Sequence, residues 1–365
     1  YSSTERHSGV QKSESCHSGA TWLQVLRIPA SISFVLPSVS HVHSEVYLRS
    51  KRLSTTMDCQ RRVPLSHFVD GIRYSPLVPP AMARKALVHR PGDGDIIVVT
   101  YPKSGTHWTM HIIQLILGRG QGATSFPDLI RRSPHLENHG PEALDGLPLP
   151  RMMGTHQKLL QQNFNDRAKY VYVARNPGDT CVSLYHFMRG ITEFQFEDGT
   201  FDDFFEAFVT GDLCYGDYFD HVLHGYARKD DPNVFFFTYE QLKADTPGMI
   251  LKLASFLGEE YRKMLEGDQE MFREILNKSS FHFMSRVLEP GAEVISAVLG
   301  DLSTPMGKGN NIRTERNEED GFRFFRRGKV NSWKELFTPE QTQRMQTRID
   351  EMTLGTDLMQ IWNEK

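Results

Sequence analysis

Residues 96–108 read IIVVTYPKSGTHW. The first six, Ile96 to Tyr101, are uncharged and rich in β-branched side chains, the composition of a strand buried on both faces. A Pro102-Lys103-Ser104-Gly105-Thr106 turn follows, and from His107 to Leu117 apolar residues recur at helical spacing. A buried strand that turns straight into a helix presents unpaired N–H groups and partial positive charge at the helix start. Gly105 allows close backbone approach, Ser104 and Thr106 add hydroxyl donors and Lys103 adds a full charge, so the turn predicts a P-loop-like anion cradle. It is not the GxxxxGK[ST] loop of nucleoside triphosphate-binding proteins. Lys103 precedes a single glycine, and no Asp closes the later strands to hold magnesium.

Working outward, Lys169 to Ala174 (KYVYVA) and Val234 to Thr238 (VFFFT) are two further buried strands, and Met152 to Thr155 reads as a short strand end. Pro177 stands at the first turn of a helix that runs through Met188. Helical spacing recurs over Thr200–Val209, Gly216–Ala227, Thr246–Leu257 and Pro339–Met352. Strands alternating with helices predict an α/β fold, a single domain with a central parallel sheet flanked by helices. Leu288 to Gly321 reads as a long loop of the kind that serves as a lid or binding loop.

The 365 residues are 39% hydrophobic and 24% charged, a globular composition that excludes disorder as the main state. With 42 Lys and Arg against 45 Asp and Glu, overall charge favours neither nucleic acid nor an acidic membrane surface, so an anionic ligand must be caught locally. Cys16, Cys59, Cys181 and Cys214 show neither CxxC nor Cys/His spacing. A disulfide framework and a metal site are therefore not expected, and a reducing compartment, the cytoplasm, is. No apolar run reaches the ~18 to 20 residues of a membrane span. Upstream of Met57, 13 of 56 residues are Ser, none is Asp, and six Lys and Arg stand against three Glu; beyond it the balance is 36 against 42. The shift predicts a boundary between residues 1–56 and a catalytic domain over residues 57–365. A signal or anchor segment would have to use Trp22 to Leu36, which Arg27 and Pro29 interrupt, and a Ser-rich, acid-poor transit peptide is an alternative. Composition favours a disordered extension or translated upstream sequence.

Four segments in order carry a resemblance. Thr100 to Trp108 (TYPKSGTHW) resembles the 5′-phosphosulfate-binding loop of the cytosolic sulfotransferase family. Tyr172 to Phe187 (YVARNPGDTCVSLYHF) is similar to its 3′-phosphate-binding strand and helix, and Phe324 to Lys334 (FFRRGKVNSWK) to its C-terminal nucleotide-binding loop. Gly154-Thr155-His156 is similar to the stretch bearing the catalytic histidine. The resemblance runs from about Phe68 to the C-terminus and implies transfer of a sulfuryl group from 3′-phosphoadenosine 5′-phosphosulfate (PAPS), without a metal, to the hydroxyl or amine of a phenol, aromatic amine or hydroxysteroid.

The family match assigns roles residue by residue. Lys103, Ser104, Gly105, Thr106, His107 and Trp108 would hold the phosphosulfate end, Lys103 stabilising the leaving group. Arg175, Ser183, Arg326, Arg327 and Gly328 would hold the 3′-phosphate, for which the planar guanidinium fork is suited. Trp108, Tyr239 and Phe281 would surround the adenine, with a hydrogen bond to the base from Ser279 or Ser280. His156 would be the general base, with His107 and His186 as other candidates, and Ser183 is counted with the catalytic set. Gly120 to Pro150, Phe187, Met188 and the loop after Leu288 would form the acceptor pocket. Two departures stand out. The family's usual Lys two positions before the histidine is Gly154, which leaves a nucleotide-binding module without catalysis as the alternative. The family's dimer motif is reduced to Lys334, Thr338, Pro339 and Gln343, which points to a monomer or a weak homodimer. A Golgi-type sulfotransferase would need a membrane anchor.

Overall fold

The computed structural model describes residues 62–291, 294, 295, 297 and 322–362. The expected boundary at Met57 and most of the Leu288–Gly321 loop lie outside the described residues.

An Asp70-Gly71 turn, with both residues at positive φ (49° and 82°), joins β1 (His67–Val69) to β2 (Ile72–Tyr74) in a small antiparallel hairpin. The main sheet is parallel. It contains β3 (Ile96–Thr100), β4 (Met152–Thr155), β5 (Lys169–Ala174) and β6 (Val234–Thr238) in the order β4-β3-β5-β6. All five residues of β3 are buried, as its uncharged composition requires of a strand covered by helices on both faces. The chain leaves β3 to form β4 on one side, then crosses to form β5 on the other, so the connections diverge at the carboxyl end of β3. In open parallel sheets that divergence opens a crevice for ligands.

Register sets what lines this crevice. Val99 pairs with Thr155, Thr100 with Val173, and Ala174 with Thr238. The strands therefore end level, and the residues that follow them, from Tyr101 onward, His156, Arg175 and Tyr239, emerge along one edge of the sheet.

The helices largely keep the bounds expected from the sequence, with Thr246–Leu257 and Pro339–Met352 reproduced as read. The segment expected as Gly216–Ala227 starts instead at Tyr218. Asp217 caps it by accepting the Asp220 N–H at 2.8 Å, while Tyr215 and Gly216 sit at positive φ and cannot continue a right-handed helix. The helix opened by Pro177 runs to Gly190, and Asn176 accepts the N–H groups of Gly178 and Asp179 at its start.

One buried carboxylate ties the C-terminal segment to this helix. Asp179, fully buried, accepts the Asn331 N–H at 2.6 Å, the Ser332 hydroxyl at 2.9 Å and the Trp333 N–H at 3.1 Å. Replacing Asp179 by Ala strands these donors, and leaving a buried donor unsatisfied costs about 1–3 kcal/mol. Asp179→Ala should lower the unfolding free energy in urea by at least that range. A loss below about 0.5 kcal/mol, the scatter of ordinary surface substitutions, would remove the anchor role.

Candidate active site

The turn after β3 is built by two left-handed residues. Lys103 has φ 67°, an uncommon conformation for a side chain-bearing residue, and its carbonyl accepts Arg175 Nη1 at 3.1 Å. Gly105 has φ 114°, and a Cβ there would lie 3.1 Å from Tyr239 Cδ2, so glycine is needed for both reasons. The Thr106–Leu117 helix then begins with no side-chain cap. A helix start of this kind suits an anion, the role the sequence predicts for this turn. Thr106 Oγ1 lies 2.6 Å from Thr100 Oγ1, and Ser104 Oγ is buried with no partner among the described residues.

Lys103 points into the cleft. Its Nζ donates to the Phe324 carbonyl at 3.3 Å and lies 4.6 Å and 4.2 Å from the ring centres of Phe187 and Phe324. Desolvation, then the Arg175 charge, pulls its pKa down to about 7, with Glu289 opposing and Arg326 adding to the shift. Glu289 also accepts the Phe324 and Phe325 N–H groups at 2.5 Å and 3.1 Å, which fixes the start of the segment carrying Arg326.

Arg175 lies over the Tyr239 ring at 4.5 Å and donates Nη2 to the Lys329 carbonyl at 3.2 Å. The Nε groups of Arg175 and Arg326 are buried without partners among the described residues. Burial and the neighbouring Arg327 and Arg175 charges lower the pKa of Arg326. Gly328 has φ 59°, and a Cβ there would stand 2.4 Å from Phe281 Cδ2, so this glycine lets the far loop close on the aromatic wall. Trp108 meets Tyr239 edge-on at 5.2 Å. Lys103, Arg175, Ser183, Tyr239, Phe281 and Arg326 border one cleft, together with Thr106, His107, Trp108, Arg327 and Gly328.

Three expected residues are engaged by other partners. Ser279 is fully buried; its hydroxyl donates to the Ile275 carbonyl at 2.6 Å and its own carbonyl accepts the Trp108 indole N–H at 2.7 Å. It thus holds Trp108 and does not border the cleft, while Ser280 caps the Phe281–Val287 helix. Arg327 borders the cleft, but its Nη1 is paired with Glu335 at 2.6 Å near the surface.

His156 lies at the end of β4 with Nδ1 2.9 Å from the Thr100 carbonyl oxygen. A carbonyl only accepts, so Nδ1 carries the hydrogen and Nε2 keeps its lone pair. The His156 N–H donates to Glu137 Oε1 at 2.7 Å, and Glu137 Oε2 accepts the Thr155 hydroxyl at 2.9 Å. Burial lowers the His156 pKa against the opposing pull of Glu137 and the Thr100 bond, which keeps the ring neutral near pH 7. The other two candidates are poorer bases: burial takes His107 to about 3 and His186 to about 4.

Phe187 and Met188 border the cleft, as do His135 and Asn138 from the Gly120–Pro150 stretch and Phe325 from the Phe324–Lys334 segment, together with two residues that sequence reasoning did not single out, Ser75 and Tyr215. Nothing in their local spacing marks them, because contact across the fold brings them together. His135, Glu137 and His156 also place one potential ligating atom each within 4.8 Å of one another, a grouping no sequence spacing announced.

Residues 93–357 match a family model described as Sulfotransferase domain. The amine sulfotransferase of Oryctolagus cuniculus is 32% identical over 279 residues, covering 74% of this chain and 84% of the relative. Sulfotransferase 1B1 of Mus musculus is 31% identical over 278 residues, with 73% and 84% covered. Among solved structures, mouse sulfotransferase SULT7A1 complexed with PAP superposes with a TM-score of 0.61 at 25% identity, over 82% of this chain and 98% of that one. Retinol dehydratase in a complex with retinol and PAP shares the fold, with a TM-score of 0.61 at 24% identity over 77% and 88%. The family match begins just ahead of β3 and reaches past the last long helix, so the cleft just described belongs to a member of the sulfotransferase family, an enzyme that transfers a sulfuryl group.

Proposed function

We propose that the cleft takes PAPS as donor and a small phenol, aromatic amine or hydroxysteroid as acceptor, with His156 as general base and Lys103 as stabiliser of the leaving group. The observation that carries this reading is the tautomer of His156: Thr100 holds Nδ1–H, leaving the Nε2 lone pair for an acceptor proton in a cleft that Lys103 also borders. The cytoplasm is the proposed location, where the buried free thiols of Cys181 and Cys214 persist.

The residues fit a ligand that is anionic at both ends. The uncapped helix start and Lys103 offer one anion site, and Arg175, Ser183 and Arg326 another, with the orphaned Nε groups of both arginines and Ser104 Oγ as unused donors. The donor, when bound, supplies a sulfuryl group on a phosphate leaving group. Tyr239 and Phe281 orient the base, Arg175 and Arg326 anchor the far phosphate, and Lys103 meets charge that grows on the bridging oxygen. His156 takes one proton from the acceptor as its oxygen or nitrogen is engaged.

Lys103→Ala should lower kcat by about 10²- to 10³-fold, the loss expected for one stabiliser of developing charge, with a smaller effect on acceptor KM. Its pKa of about 7 without donor adds a linkage. Anionic ligand raises that pKa, so binding takes up a proton above pH ~7, and affinity for adenosine 3′,5′-bisphosphate (PAP) should fall as pH rises through that value. Calorimetry in buffers of different ionisation enthalpy measures the uptake; a Lys103→Met variant should abolish it, and pH-independent affinity in the parent protein would contradict the assignment.

Arg175→Ala and Arg326→Ala should each weaken PAP binding by about 10- to 100-fold while affecting adenosine 5′-phosphate far less, since charge-assisted bonds of ~1.5–3 kcal/mol are lost only with the 3′-phosphate. Equal losses for both nucleotides would reassign these arginines.

His156→Ala should nearly abolish transfer to an alcohol and leave PAP affinity intact. The defect should shrink along a series of phenols of falling pKa, because acidic phenols ionise without help. In the parent protein the acid limb for an alcohol should lie below pH 6.5, since burial lowers the imidazole pKa and the base works only when neutral. A flat dependence on acceptor pKa would show that the ring only packs.

A further inference from the structure

We propose that His135 forms a second polar subsite beside the base, which selects acceptors carrying a hydroxyl next to the reacting one: catechols and vicinal diols. This rests on the transfer reading and goes beyond it by naming the acceptor class.

His135 borders the cleft, and its ring centre is 5.2 Å from that of His156 and 5.2 Å from that of His107. The residue is 1% exposed, and neither ring nitrogen has a hydrogen-bond partner among the described residues. Other buried histidines show what a structural role requires. His221 Nδ1 lies 2.6 Å from the Tyr172 hydroxyl and Nε2 donates to the His156 carbonyl at 3.0 Å. His111 stacks on Phe283, is drawn toward the Lys278 backbone and does not border the cleft.

The fold makes room for this ring. Gly154 pairs with His135 through an isolated parallel bridge, and its N–H donates to the Pro134 carbonyl at 2.9 Å. A Cβ on Gly154 would stand 3.3 Å from both His135 Nε2 and Cε1 and 3.1 Å from Met110 Sδ. The glycine two residues before the base is thus the floor on which the second imidazole rests, and a larger residue there would press against it.

Burial and the adjacent imidazoles hold His135 neutral, so it offers one donor and one acceptor. An acceptor with a single hydroxyl serves His156 and leaves His135 dry. Both His135 nitrogens are covered in the structure, so a second hydroxyl on the adjoining carbon meets one of them on a small shift of the ring while the first stays on the base. Sites built to hydrogen-bond a group discriminate against analogues lacking it, because their buried polar atoms are left unpaired.

The test uses the full chain saturated with PAP, so it reads binding without turnover. Phenol, catechol and hydroquinone are titrated by calorimetry into the parent protein, His135→Leu and His135→Gln, each checked for a cooperative thermal melt. The parent should bind catechol about tenfold more tightly than phenol or hydroquinone, a net gain typical of one buried hydrogen bond. His135→Leu should bring the catechol-to-phenol ratio close to one, and His135→Gln, which keeps a donor and an acceptor, should retain most of it. Equal binding of catechol and phenol to the parent overturns the proposal, as does a ratio unchanged in His135→Leu. If the Leu variant does not fold, the parent ratio and its retention in the Gln variant decide. Selective catechol binding without sulfuryl transfer from PAPS to any of the three would sink the transfer reading and leave the subsite standing.

Discussion

The pairing of β3 between β4 and β5 is the constraint on which the rest of the molecule depends. Because the strands end level, a basic turn, an imidazole, a guanidinium and an aromatic ring reach the same edge without any long excursion of the chain. The Thr100 carbonyl shows how close the coupling is. It lies at the end of one strand and sets the tautomer of a histidine at the end of the next. A one-residue slip of either pairing would turn these groups to the opposite face and leave no site.

The cleft carries a cost in the absence of ligand. The charges of Arg175 and Arg326 lower the proton affinity of Lys103, that of Arg175 also lowers the proton affinity of Arg326, and the Nε groups of both arginines have no partner among the described residues. Without an anion this is an arrangement of desolvated like charges, held in place by the Asp179 and Glu289 anchors and by the aromatic faces of Phe187, Phe324 and Tyr239. Interactions that destabilise the empty protein are the ones a bound anion relieves. Functional sites in general hold such strain where the surrounding fold over-determines it.

Much of this was legible in the residues themselves. Ile96 to Trp108 announced a buried strand, a basic turn and a helix start, and each lies where the pattern put it, because short-range chemistry dictates all three. The family resemblance of Gly154-Thr155-His156 and of the two arginine-bearing segments pointed to residues that border one cleft. What stayed open is non-local. Gly120 to Pro150 was expected at the cleft as a stretch, but Glu137 and His135 within it lie some twenty residues before His156, in a short helix and its preceding turn, and the bridge to Gly154 brings them beside it. Ser279 stands in the expected segment, and its hydroxyl is bonded to its own helix at Ile275. Gly154 looked like the loss of a cation, and in three dimensions it is also the space that another side chain fills.

The two anchors of the C-terminal segment have a bearing on how such a chain can diverge. Glu289 fixes the backbone at Phe325 and Asp179 fixes it again at Asn331, so only residues 326–330 lie between the tethers. Within that span Arg326 and Gly328 must reach the cleft and Lys329 must offer its carbonyl to Arg175. An inserted or deleted residue has nowhere to be absorbed, whereas single side chains elsewhere on the cleft wall can be exchanged one at a time. Lineages of this fold are therefore free to reshape the rest of the cleft by point substitution, while the length of this doubly tethered span stays frozen.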